Sequence, residues 1–376
     1  MNSKRFVLMS SLLALIALIL MGGASGSPTA NAQGKATAVA TMAMKDGKKQ
    51  ELKVYNFATY IADDTIANFE KMYNVKVTYD TFGKADELFT KMQAGNPGYD
   101  VIVAPDYMIT QLASLDLLLP LEMKNIPNFE KNVDPSFKDP SYDPKNKYSV
   151  AYQWGTMGIG YNKKKVGKDI KSLADIFKPE YKKRVALLNS TREMMALLLI
   201  SQGLDPNTVN KADLEKARDF ALKNKEVVAA FHDDDGQTRL VRGEVDIVIE
   251  WSGDMFQVMA EKGNEDIVYV IPSEGTFRWA DNLAIPKGAG NKALAETFIN
   301  YVYDPGTAAA ISNFTQYGSP NKAAIDMKLI DKALLENPAI YPPADVAKKL
   351  VTLKDLGDAG VVYDQVWAEL TAGVSK

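Results

Sequence analysis

Apolar and polar positions along this chain change period repeatedly, and each change marks a strand or a helix. Leu52-Lys53-Val54-Tyr55-Asn56-Phe57 reads as a strand, and 63–73 as a helix with Ile66, Phe69 and Met72 at helical spacing. Val75-Lys76-Val77-Thr78-Tyr79 alternates in and out as the next strand, and Tyr99-Asp100-Val101-Ile102-Val103-Ala104 is a buried strand ending at Pro105-Asp106-Tyr107. Residues 120–150 are rich in Pro, Asp, Asn and Lys and read as an extended surface connection. The glycine-rich stretches 148–155 and 157–162 then predict a strand pair where the chain first crosses between lobes. A new series follows, with a strand over 185–188, helices over 192–202 and 210–223, and a strand over 245–251. A helix over 292–303 is expected to return to the first lobe, and helices from 328 onward to finish the second.

Strands alternating with helices predict an α/β fold of two lobes, each a mixed, mostly parallel sheet flanked by helices, with a cleft between them. Parallel sheets hold ligands at the carboxyl ends of their strands. The expected lobes are 51–155 plus 282–325, and 156–281 plus 326–376. Ahead of them, Lys4-Arg5, an apolar run over 6–21 and the small site Ala30-Asn31-Ala32 read as a secretory signal peptide of residues 1–32. Residues 33–50 are small and polar and read as a disordered lead-in.

Composition narrows the chemistry. The chain has no cysteine, which removes disulfides, thiolate metal sites, a thiol nucleophile and a lipid-anchoring cysteine. A free periplasmic protein is the simplest destination. A net charge of −3 gives no reason to expect a nucleic-acid partner. The single histidine lies in His232-Asp233-Asp234-Asp235-Gly236, which lacks the ligand spacing of a calcium loop and reads as a solvated turn. No Gly-x-Ser-x-Gly elbow or His-Glu-x-x-His motif is present, and no metal or cofactor is expected.

Two clusters stand out, Glu250-Trp251-Ser252-Gly253-Asp254 and Trp279-Ala280-Asp281. An indole face attracts a cation and a nearby carboxylate neutralises it, so the pairing suits a small cation. The same residues also fit a core tryptophan, with Ser252 capping a helix and Asp254 favouring its positive end. Ser190-Thr191-Arg192-Glu193 matches a capping box, unless Glu193 faces the cleft instead. Asp106 and Tyr107 fit either a helix start or a ligand wall.

Several strings together resemble the spermidine/putrescine-binding receptors of bacterial ABC transporters. They are Tyr55-Asn56-Phe57-Ala58-Thr59-Tyr60, Tyr99-Asp100-Val101-Ile102-Val103, Tyr152-Gln153-Trp154-Gly155, Lys178-Pro179-Glu180-Tyr181-Lys182, Arg192-Glu193, Gly243-Glu244-Val245, Trp279-Ala280-Asp281-Asn282-Leu283-Ala284-Ile285-Pro286, Tyr317-Gly318-Ser319-Pro320-Asn321 and Ile340-Tyr341-Pro342. The resemblance implies a monomeric two-lobed binding protein that closes on a polyamine and presents it to a membrane permease, without covalent chemistry. It implies an aromatic wall of Phe57, Tyr60, Tyr107, Trp251 and Trp279, carboxylates at Glu193, Asp254 and Asp281, and Asp106 beside Tyr107. Departures bear on the ligand. Phe57 stands where tryptophan is usual, and spermidine-type members carry an acid near Ser190 and a glutamine near Leu353, both missing here. Asp254 resembles the putrescine type, so a short diamine is favoured. Agmatine, cadaverine or Fe(III) are the alternatives within the fold, and a carboxylate-dependent hydrolase is a remote one. The fold's catalytic relative, thiaminase I, uses a cysteine that this chain lacks.

Overall fold

The computed structural model describes residues 44–45 and 48–374; the expected signal peptide lies outside them. Among the described residues no helix is long and apolar enough to cross a membrane. Residues 44–45 and 48–49 pair as two short antiparallel strands, so order begins earlier than the lead-in reading allowed.

Nine strands carry the architecture: β1 (Glu51–Phe57), β2 (Lys76–Phe82), β3 (Val101–Pro105), β4 (Ser149–Asn162), β5 (Val185–Leu188), β6 (Val228–His232), β7 (Ile247–Trp251), β8 (Ile267–Val270) and β9 (Thr276–Pro286). They form one mixed sheet in the order β2-β1-β3-β9-β4-β7-β5-β6, with β8 also on β4 and the two-residue strand Leu118–Leu119 and Leu350–Thr352 on β9. The order contains a repeat. β2, β1 and β3 are mutually parallel and meet β9 antiparallel. In the same way β6, β5 and β7 are parallel and meet β4 antiparallel. The two long strands pair with each other in the middle.

β4 explains how one chain serves both halves. Ser149 to Thr156 lie opposite β9, whereas Met157 to Tyr161 lie opposite Trp251 to Ile247 of β7. The expected strand pair is therefore one continuous strand that changes partner at 156–157. Gly155 sits at that change because a side chain there would come within 2.6 Å of the Trp279 ring and 3.0 Å of Tyr317. β9 has its own irregularity, a register shift between Asp281 and Asn282. Such a shift re-aims a side chain at the place where it occurs.

Helices cover the sheet: α1 (Thr65–Tyr73), α2 (Ala85–Gln93), α3 (Asp106–Ser114), α4 (Thr191–Ser201), α5 (Lys211–Lys223), α6 (Gly236–Arg242), α7 (Ser252–Ala260), α8 (Lys292–Val302), α9 (Pro305–Thr315) and α10 (Gly360–Val374). In α1 Phe69 is fully buried, but Met72 is 56 % exposed, so the apolar spacing overstated that face by one position. α4 is buried over Glu193 to Ile200, because α5 and α10 pack outside it. Tyr363 of α10 donates to the carbonyls of Pro206 and Thr208, fixing the C-terminal helix to that half.

Residues 120–150 are not a surface connection. Ile126, Phe129 and Phe137 are buried, and α8 grips the segment through Glu296, whose carboxylate accepts from Glu122 N–H at 2.9 Å and Asn125 Nδ2 at 2.6 Å. Its polar composition reflects these side-chain-to-backbone bonds, not exposure.

Candidate functional site

One cavity of about 110 Å³ lies where the parallel strands of both halves end. Phe57 and Ala58 follow β1, Lys84 follows β2, and Asp106 and Tyr107 follow β3. From the other half come Ser190 and Glu193 after β5, Asp233 and Asp234 after β6, and Trp251 and Asp254 at the end of β7. Trp279 and Asp281 reach it from the middle of β9, and Tyr317 from the segment after α9. All nine residues singled out from the sequence, Phe57, Tyr60, Asp106, Tyr107, Glu193, Trp251, Asp254, Trp279 and Asp281, line this one space.

The aromatic lining is continuous. Trp251 meets Trp279 edge to face with centroids 5.7 Å apart, Trp279 meets Tyr317 at 5.0 Å, Tyr317 meets Tyr60 at 5.4 Å, and Tyr60 meets Phe57 at 5.8 Å. Each such pair contributes about 0.5–1.5 kcal/mol beyond its buried area, so the ladder links residues of both halves. Tyr317 is the rung that sequence reading left without a role. Its signal was present, since Tyr317-Gly318-Ser319 belonged to the family-like strings. The Tyr317 hydroxyl also donates to Asp254 Oδ2 at 2.6 Å.

Six of the acids in and behind the lining fall into two groups, and burial is the largest cause of the rise in every one of them. In the first, burial lifts Asp106 to about 7 and Asp281 to about 8; the charge of Glu193 adds to both rises, and that of Asp106 adds to the rise of Asp281. Burial also raises Glu193. Donors oppose these shifts: Tyr107 N–H bonds Asp106 at 2.8 Å, and Tyr107 Oη reaches Glu193 Oε1 at 3.3 Å across the cleft. The buried Tyr60 hydroxyl lies near enough to Asp281 to lower it, yet makes no hydrogen bond of normal geometry among the described residues. Trp279 Nε1 is likewise buried without a partner there.

In the second group, Asp234, Glu250 and Asp254 each bring one oxygen within 4.8 Å of the others. Burial, then the charge of Asp254, lifts Asp234 to about 8. Glu250 has no solvent exposure and is raised well above the carboxylate range, and Asp254 is raised as well. His232 Nδ1 approaches Glu250 Oε2 at 3.7 Å, an ion-pair distance. Burial depresses His232 to about 4, so this contact joins two neutral groups near neutral pH.

Three local expectations are corrected. The capping box at Ser190 does not form, because the Ser190 hydroxyl donates to the Glu193 carboxylate itself instead of accepting a backbone N–H. Ser252 is not the cap of α7; Trp251 holds that position, and Ser252 Oγ accepts from Thr156 N–H at 3.4 Å. The acidic turn after His232 is only partly solvated. Asp233 is exposed and pairs with Lys84 at 2.6 Å across the cleft, whereas Asp234 points into the cavity. A run of three aspartates gives no sign of which one a β-strand end turns inward. Ser190 and Leu353, where the spermidine-like partners are missing, do line the cavity.

With this geometry in place, known proteins can be compared. The family model for bacterial extracellular solute-binding proteins matches residues 64–342. The putrescine-binding periplasmic protein PotF of Escherichia coli is 34% identical, over 90% of this chain and 95% of that one. A putrescine/agmatine-binding protein of Pseudomonas aeruginosa is 32% identical, over 85% and 91%. The spermidine/putrescine transporter substrate-binding protein PotD of Streptococcus pneumoniae superposes with a TM-score of 0.76 at 30% identity, covering 87% of this chain and all of that one, 100%. The family model covers most of the chain and strands of both halves of the sheet, and the relatives cover more of it still, so this chain belongs to the bacterial extracellular solute-binding protein family.

Proposed function

We propose that this protein is the periplasmic receptor of a polyamine ABC transporter, that it captures a short diamine of the putrescine type in the cavity, and that it delivers the ligand to a membrane permease. The observation that carries this is the composition of one small space: an aromatic ladder flanked by two groups of buried carboxylates. Aromatic faces suit the methylene chain and attract cations, and buried acids neutralise ammonium ends once water is excluded. One water needs about 10–15 Å³ of such space, so a cavity of about 110 Å³ takes a short diamine readily and is filled by a triamine. Leu353, an apolar lining residue, offers nothing to a third amine. The relatives above are binding proteins for putrescine, for putrescine or agmatine, and for spermidine or putrescine, which supports the same class here.

In this reading Phe57, Tyr60, Tyr107, Trp251 and Trp279 wall the alkyl chain, Asp106, Glu193 and Asp281 hold one end, and Asp254 holds the other. The lobes are 51–155 plus 282–325, and 156–281 plus 326–376. They close about hinges at the partner change of β4, at the bulge of β9 and between 320 and 328. Ligand bridging both lobes favours the closed form, which the permease recognises. The protein acts as a receptor and not as an enzyme; the relatives' described roles are binding, and the one histidine is buried and hydrogen-bonded to a backbone carbonyl.

A thermal-shift panel of putrescine, cadaverine, agmatine, spermidine and neutral or acidic amino acids tests the assignment. A ligand at a hundred times its Kd stabilises by about 2.7 kcal/mol, so the diamines should raise Tm by several degrees. A shift with an acidic amino acid, and none with any amine, would overturn it.

A further inference from the structure

Asp234, Glu250 and Asp254 come from three separate elements, the turn after β6, the end of β7 and the first turn of α7, yet their oxygens converge within 4.8 Å. Three oxygens hydrogen-bonded to one ammonium nitrogen at roughly 2.8 Å stand about 4.6 Å apart for tetrahedral donors. Oxygens that converge within 4.8 Å are therefore close enough to be shared by a single multi-donor cation.

Glu250 supplies a second, independent observation. Its side chain is fully buried, Oε1 accepts from Trp251 N–H at 2.9 Å, and Oε2 has no partner among the described residues. The neighbouring histidine fixes where a proton must be. His232 Nε2 lies 3.0 Å from the carbonyl of Ile249, which can only accept, so Nε2 carries the hydrogen. Nδ1 of the neutral ring then presents a lone pair towards Glu250 Oε2 at 3.7 Å. Two acceptors facing each other in a buried site repel unless Glu250 is protonated. Glycine at 236 makes room for this close pair, because a Cβ there would lie 2.6 Å from Glu250 Oε2 and 2.5 Å from the His232 ring. Glu250 thus sits behind the cavity as a neutral acid, and Asp234 and Asp254 are the two carboxylates of this group that line it.

We propose that Asp234 is a specificity-determining residue: with Asp254, and with protonated Glu250 behind them, it forms a subsite for a terminal group bearing several N–H donors, a primary ammonium or a guanidinium, and gives up its own proton when that cation arrives. The inference rests on the receptor reading above and extends it to an acid that the sequence had consigned to solvent. The other charged groups around Asp234 do not supply this cation. Arg239 of α6 pairs with Asp235 and Glu244, and Lys84 pairs with Asp233. Tyr317, beyond α9, donates to Asp254. Burial and the neighbouring carboxylates raise Asp234 to about 8, in keeping with an acid that is protonated until a cation displaces the proton.

The test is calorimetric titration of putrescine and agmatine into wild type, Asp234→Asn and Asp234→Ser at pH 7.5, in phosphate and in Tris, whose different ionisation heats report protons released. Wild type should release protons on binding. Both variants should bind about 10- to 100-fold more weakly and release close to one proton fewer. Their ligand-free Tm should equal or exceed that of wild type, because a crowded acid has been removed, and this separates a binding role from a folding defect. Unchanged affinity with unchanged proton release in the variants overturns the subsite while leaving the receptor reading intact. Wild type that binds no amine overturns both. Calcium chloride alone raising Tm and excluding putrescine would make the three acids a metal site and overturn the proposal.

Discussion

Asp106, Glu193 and Asp281 come from both halves of the sheet, and each faces a donor of the protein: Tyr107 N–H, the Ser190 and Tyr107 hydroxyls, and the Tyr60 hydroxyl. Asp234, Glu250 and Asp254 all come from one half, and among the described residues only Asp254 has a side-chain donor, Tyr317. The first group is thus organised before a ligand arrives, and it spans the gap that a closing ligand must bridge. The second is a concentration of acid on one wall, relieved by protons or by a cation. Under the proposed receptor reading the same residue types serve different ends: the bridging group would govern closure, and the one-sided group what the terminal group must be.

The largest expected effect falls on the bridging group. Asp281→Asn leaves a cation desolvated without its partner, which costs about 3–5 kcal/mol and should weaken putrescine by two to four decades in calorimetric titration. A loss no greater than that of an Asp234 variant would erase the distinction between the groups. Next comes the ladder that joins them. Trp251→Ala removes a cation-attracting face worth about 2 kcal/mol when desolvated, and affinity should fall about 30-fold, with agmatine and putrescine affected alike.

The two groups share one pH signature. Asp106, Asp234 and Asp281 hold protons up to about 7, 8 and 8 in the folded chain, far above the range of an unfolded carboxyl. The folded state therefore binds more protons than the unfolded one from about pH 4 upward, and stability falls as pH rises through that window. Ligand-free Tm should drop by a few degrees from pH 5 to pH 8, and saturating putrescine should flatten or reverse the slope. A ligand-free Tm that rises over this range would contradict the buried-acid description. The smallest effect belongs to Lys84, whose pair with Asp233 crosses the cleft with both side chains partly in water, at 32 % and 61 % exposure. Lys84→Met should cost at most about fivefold in affinity, and 0.5 M salt should remove most of the difference.

The fold was legible wherever burial imposed a period. The strand over 185–188 and the helices of the second half sit within a residue or two of their expected bounds, because a short apolar run there gives way to stretches of helical period. The bridging acids were legible too, since each follows a strand or lies beside a tryptophan. What stayed hidden depended on contacts distant in sequence. Nothing local says that β4 is one strand with two sets of partners, or that Tyr317 returns to Asp254, 63 residues away. Asp234 looked like its neighbours Asp233 and Asp235, and only the strand end ahead of it decides which of the three turns inward. Residues 120–150 misled for a related reason, because polar side chains that bond buried backbone look like loop composition.

A titration of putrescine against n-butylamine into the wild-type protein at pH 7.5 addresses the cleft most directly. The two ligands share an alkyl chain of the same length and differ in the second ammonium. If acids on both sides of the aromatic ladder each hold a cation, putrescine should bind at least about 100-fold more tightly, the worth of one desolvated charge pair at the low end. Equal affinities would mean that only one group of carboxylates meets the ligand, and the two-ended description of this cavity would fail.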